Sequence, residues 1–280
     1  DGAWEVRVHT PKAGYTPLTI KFSDGEETTI SNVLSGEVWV CAGQSNMEMP
    51  VHGFDGCPVE GYNKVVVDAR SHSGVRYAKI PATMSMKPQQ DANVKWQVVS
   101  PETVGNTSAT GYFFGRMLEQ TLGVPVGLIE ANKGGSRVES WLDYDNLKKS
   151  TDEKLDSTSI YSVKTDYYRQ LVWGNGTFSP IQKYTVKGII YYQGCSNVGY
   201  HTDDYARRLG ILVEQWRKAF GCGEIPFYFV EIAPYWYDNA NGTDAALLRE
   251  QQYIASTKIK NCGLIGNNDG AYAWEMKQIH

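Results

Sequence analysis

Between residues 1 and 35, apolar and polar positions alternate along Trp4-Glu5-Val6-Arg7-Val8-His9 and again along Leu18-Thr19-Ile20-Lys21-Phe22. Pro11, Gly14, Pro17 and Asp24-Gly25 break the pattern. A period of two between such breaks predicts antiparallel strands. The stretch is too short to bury a core alone. It reads as a β extension on the main body, or as the end of a larger β domain.

From residue 36 the pattern becomes apolar runs separated by longer amphipathic segments. Val38–Ala42, Val126–Ile129, Val186–Tyr192, Phe227–Ile232 and Gly263–Ile265 predict buried strands, with a further strand near Val75–Ile80. Helices are predicted over Ser108–Leu122, with Tyr112, Phe113, Met117 and Leu118 on one face, over Asp203–Phe220 and over Asp244–Thr257. Ser108 is the cap of the first and Gly123 its stop. A helix is expected to begin near Val138, residues 150–173 read as weakly patterned helix, and Asn175-Gly176 with Pro180 reads as a loop. Strands separated by helices imply a parallel sheet. Residues 1–35 and 36–280 are therefore expected to be an extension and a main domain.

Three of these strands run into small polar loops: Gly43-Gln44-Ser45-Asn46, Lys133-Gly134-Gly135-Ser136 and Gln193-Gly194-Cys195-Ser196-Asn197. In a parallel sheet all three lie on one edge, where ligands bind. The segment Asn267–His280 follows the last strand and is expected to return there. A serine, glycine-backed N–H groups, amide side chains and a histidine are what acyl transfer asks for.

Composition narrows the partners. A net charge of −4 without a basic cluster argues against nucleic acid and anionic lipid. No apolar run is long enough to span a membrane. Asp1 opens no signal peptide, which leaves the compartment open. The five cysteines contain no Cys-x-x-Cys, and Cys222 with Cys262 could pair. His52, His72 and His201 have no metal-ligand spacing, so no metal is expected. The 18 tyrosines and 8 tryptophans suit core packing first and sugar stacking second. Asn106, Asn175 and Asn241 head Asn-x-Ser/Thr sequons.

Residues 36–50, Gly-Glu-Val-Trp-Val-Cys-Ala-Gly-Gln-Ser-Asn-Met-Glu-Met-Pro, closely resemble the nucleophile block of sialate O-acetylesterase-like carbohydrate esterases. These belong to the SGNH (GDSL-like) hydrolase superfamily. Further stretches follow in the family's order: Gly111–Gly115, Gly123–Ile129, Gly134-Gly135-Ser136 with Glu139 and Trp141, Gln193-Gly194-x-Ser196-Asn197, Leu248-Arg249-Glu250-x-Gln252 and Ile279-His280. The resemblance implies a flavodoxin-like three-layer α/β/α sandwich. It implies a secreted or periplasmic serine esterase that removes O-acetyl groups from sialic acids or acetylated plant glycans without a cofactor. Ser45 is then the nucleophile and His280 the general base. The N–H of Ser45, the Gly134-Gly135 turn and the Gln193 side chain form the oxyanion hole. Asn197 touches substrate or braces a loop, and Arg249 orients a substrate carboxylate or pairs with an acid. The family also continues past the position of His280 into a further helix.

Two positions depart from the family pattern. Cys195 stands where family members carry an acid, and Gln278 where they often carry aspartate. Asp269 and Glu275 are the nearest acids but miss the family spacing, so the group orienting His280 is unassigned. Cys195 also follows a strand and is an alternative nucleophile, less favoured than Ser45. A member that keeps the pocket and binds glycans without turnover is the competing reading, and a lipase- or thioesterase-like activity is another. Oligomeric state is not legible.

Overall fold

Short apolar runs that can face water on neither side pair into one sheet and take helices on both faces. The computed structural model of the 280-residue chain describes residues 6, 8–237 and 242–268. A hairpin of β1 (Gly14–Ser23) and β2 (Glu27–Ser35) precedes β3 (Glu37–Gly43), α1 (Ser45–Glu48) and α2 (Tyr62–Asp68). Then come β4 (Val75–Lys79), β5 (Gln97–Val98), α3 (Ala109–Leu122), β6 (Val126–Asn132), α4 (Tyr144–Ser150) and α5 (Ser157–Ser162). The described chain closes with β7 (Gly188–Tyr192), α6 (Tyr205–Phe220), β8 (Phe227–Val230), α7 (Asp244–Lys258) and β9 (Cys262–Ile265).

The main sheet has the order β5-β4-β6-β3-β7-β8-β9, parallel except for β5. Alternate side chains of β3 separate the two cores. Val40 and Ala42 join Trp216, Leu212 and Leu209 of α6 on one face. Trp39 and Cys41 join Tyr112 of α3 and Val65 of α2 on the other. The fold is the expected α/β/α sandwich.

Several expected elements differ, each for a packing reason. Val138–Trp141 is one 3₁₀ turn, because Leu142 is extended and Asp143 caps α4 by accepting the Asn146 N–H at 2.8 Å. Between the end of α4 at Ser150 and the helical residues Val172 and Trp173, the chain holds only α5 and a 3₁₀ turn at Asp166–Tyr168. The expected loop at Asn175–Pro180 is a buried π-helical turn followed by a 3₁₀ turn. Glycine allows this, since a Cβ on Gly176 would lie 1.8 Å from the Thr83 carbonyl oxygen. On α3 the buried stripe is Gly111, Tyr112, Gly115 and Glu119, while Phe113 and Met117 face out. The two glycines decide this by letting the sheet come close, with Cys41 of β3 against Gly111 and Leu128 of β6 against Gly115. Val6 and Val8 are exposed outside any strand, so the first alternating run is unpaired where described. No disulfide joins Cys222 to Cys262.

Candidate active site

The turn after β3 requires Gly43. Its φ is +140°, and a Cβ there would lie 2.1 Å from the Tyr192 carbonyl oxygen on β7. That carbonyl instead accepts the Gln44 N–H at 2.9 Å, which bends the chain sharply into α1. Ser45 begins this short helix, half-buried, at the carboxyl edge of the central strand. First-turn N–H groups lack intrahelical acceptors, so the Ser45 N–H is available beside its own hydroxyl.

The loop after β6 brings the two glycines to that serine. A Cβ on Gly134 would lie 3.6 Å from Ser45 Cβ. Gly135 has φ +76° and packs against the Tyr167 ring. The Gly134 N–H donates to Glu48 Oε2, whereas the Gly135 N–H meets no acceptor among the described residues. Glu48 sits one turn beyond Ser45, so an internal carboxylate already rests on one expected oxyanion donor.

Gln193 is 1% exposed and its amide is committed. Nε2 donates to the Ser136 carbonyl at 3.0 Å and to Asn197 Oδ1 at 2.9 Å, while Oε1 accepts from the Tyr205 hydroxyl at 2.9 Å. Both amide protons are thus in use, and Gln193 reaches an oxyanion only by exchanging one of them. Asn197, wholly buried, accepts the Val138 N–H at 3.1 Å and donates to Glu139 Oε2 at 3.0 Å. Its side chain braces loops. Glu139 is paired in turn with Arg208 of α6 at 2.7 Å. Gln44 Oε1 accepts the Gly194 N–H at 3.1 Å and Gln44 Nε2 reaches Ser196 Oγ at 3.4 Å. The loops after β3, β6 and β7 are therefore one hydrogen-bonded unit.

Gln44 and Glu48 stood in the opening block and Glu139 beside the glycine loop, so the sequence marked their neighbourhood but not their partners. Arg208, on an ordinary amphipathic helix, carried no signal. Two buried amide atoms near the strand ends, Asn46 Oδ1 and Asn132 Nδ2, have no partner among the described residues.

Cys195 is a poor nucleophile here. Burial pushes its thiol pKa up, and Sγ accepts from the Tyr237 hydroxyl at 3.2 Å. Arg249 donates through Nη2 to the carbonyls of Ile232 and Ala233 at 3.4 and 3.3 Å, and its Nε is buried without a partner among the described residues. Asn267, just past β9, donates to the Tyr192 hydroxyl at 2.6 Å, and burial pushes the pKa of that hydroxyl up to about 12. His280, Gln278, Asp269 and Glu275 lie outside the described residues. No metal-binding cluster of His, Cys, Asp or Glu occurs among the described residues.

A mostly parallel sheet between helix layers, with a serine on the turn after its central strand, is the architecture of an SGNH-like hydrolase. Residues 35–276 match the family described as "Carbohydrate esterase, sialic acid-specific acetylesterase", and the chain belongs to it. The sialate O-acetylesterases of Pongo abelii and Homo sapiens are each 30% identical over 73% of this chain and 41% of their own length. A carbohydrate acetylesterase of Xanthomonas citri superposes with a TM-score of 0.82 at 28% identity, covering 95% of this chain and 58% of that one. The chain thus spans about two fifths of the length of the curated relatives it matches.

Proposed function

We propose that the chain is a serine-dependent carbohydrate O-acetylesterase. The observation that carries this is the placement of Ser45 on the turn after β3 with Gly134 packed against it. The family and the acetylesterase names of its relatives support the reading. Ser45 Oγ attacks the acetyl carbonyl and its proton passes to the base, assigned to His280. The N–H groups of Ser45 and of the Gly134-Gly135 turn hold the oxyanion as the sugar hydroxyl leaves with a proton. Water then attacks the acetyl-serine, releases acetate and restores the hydroxyl. Gln193 and Asn197 keep the donors in place. Glu48 must give up the Gly134 N–H before that group can serve. Secretion or a periplasmic location fits the same reading.

Ser45→Ala is expected to lower acetate release from an activated acetyl ester by at least about 10³-fold. Unchanged release would overturn the mechanism. A second reading, glycan binding without turnover, is favoured by Cys195, whose protonated thiol replaces the family's acid. A serine-reactive phosphonate separates the two, since labelling at Ser45 requires an activated hydroxyl.

A further inference from the structure

Arg137 follows the glycine loop by two residues and is held unusually firmly for an arginine at a rim. Its guanidinium carbon lies 3.8 Å from the centre of the Tyr168 ring and 3.5 Å from that of Tyr200. The planar group is sandwiched between the two rings, and Nε donates to the Ser196 carbonyl at 3.0 Å. One bond therefore ties it to the loop after β7, while its own backbone belongs to the loop after β6. These are the two loops that flank Ser45. The N–H donors on Nη1 and Nη2 meet no acceptor among the described residues, and Arg137 forms no ion pair with a described carboxylate. Stacking consumes its faces and leaves the edge of the fork for a ligand.

A fixed guanidinium fork matches a carboxylate, with two parallel charge-assisted bonds and little side-chain entropy left to lose. Aromatic faces on both sides keep the cation in place without neutralising it. Lys133, on the same loop, lies 5.4 Å from the Trp173 ring and adds a second cation. Glu48 is an acid on Gly134, so a ligand carboxylate is repelled there and directed toward Arg137. Arg249, the other candidate, points donors at main-chain carbonyls.

We propose that Arg137 is a specificity-determining residue that binds the carboxylate of an O-acetylated sugar acid while the acetyl ester lies at Ser45. This rests on the esterase reading above, and it selects sugar acids over neutral acetylated glycans. The test compares acetate release from O-acetylated N-acetylneuraminic acid, from its carboxyl methyl ester and from acetylated xylo-oligosaccharide. For the parent chain, kcat/KM for the free acid should exceed that for the methyl ester by about tenfold or more, chiefly through KM. Arg137→Gln should bring that ratio to about one, and Arg137→Lys should retain part of it, because lysine keeps the charge but loses the fork. A ratio is insensitive to the fraction of folded variant. An equal ratio in parent and Arg137→Gln, or a parent preference for the neutral glycan, overturns the proposal. If no substrate releases acetate, the esterase reading fails instead. Calorimetric binding of N-acetylneuraminic acid against its methyl ester then decides: a preference for the acid that Arg137→Gln erases upholds the carboxylate site, and no preference overturns it.

Discussion

Glu130, on β6, is 1% exposed, and its Oε1 accepts from the Thr107 hydroxyl at 2.5 Å and the Ser108 N–H at 2.8 Å. These bonds hold the entry to α3, but burial outweighs them and raises the carboxyl pKa. A raised folded-state pKa gives stability that is complete below the ordinary carboxylate value. It is lost as pH climbs through the raised value. Glu130→Gln keeps an oxygen for both donors and removes the ionisation. The variant is expected to melt higher than the parent at neutral and alkaline pH, with the gap closing as pH falls toward the ordinary carboxylate range. A constant gap across pH would show that ionisation at Glu130 does not carry the effect. Cys195 makes a related point. Its position beyond a strand suggested chemistry, but only its surroundings reveal a thiol held protonated beside Tyr237.

At the scale of elements, α6 holds the site together from beneath. Arg208 reaches Glu139 at 2.7 Å and Asp204 at 2.9 Å, and Glu139 holds Asn197, which holds Gln193. Removing the cation leaves Glu139 buried and unpaired. Arg208→Met should therefore cost about 3–5 kcal/mol in denaturant unfolding. Acetate release per folded molecule should fall as the loops after β6 and β7 lose their common anchor. A loss under about 1 kcal/mol would mean that water reaches Glu139, contrary to its burial. The sequence showed α3, α6 and α7 well, since capping and 3.6-residue periodicity are local. It misplaced the inward stripe of α3 because glycine carries no hydrophobic signal, yet Gly111 and Gly115 allow the closest approach to the sheet.

Considered whole, the molecule is a sandwich with its candidate chemistry at one sheet edge and a hairpin at the opposite one. Between hairpin and sheet runs a groove of about 480 Å³ whose walls include Ile20, Ile30, Trp96 and Tyr184. Arg76 of β4 bonds Asn32 Oδ1 at 2.9 Å and ties the two parts. We propose that residues 36–280 fold without the hairpin, because both cores draw on β3 onward. The truncated chain is expected to unfold cooperatively and to keep its acetate release within about twofold of the full chain. Loss of cooperative unfolding would make the hairpin part of the domain. The strand order of chemistry was legible in one dimension: an apolar run ends at Gly43, so Ser45 must stand at a sheet edge, and two further runs end likewise. Hydrophobic periodicity and glycine breaks are local properties, and the sequence determines them directly. Which polar atoms remain free is decided by neighbours far apart in the chain. Tertiary structure alone engaged Gln193 and Asn197 in bracing, laid Glu48 on Gly134, and closed Tyr168 and Tyr200 over Arg137.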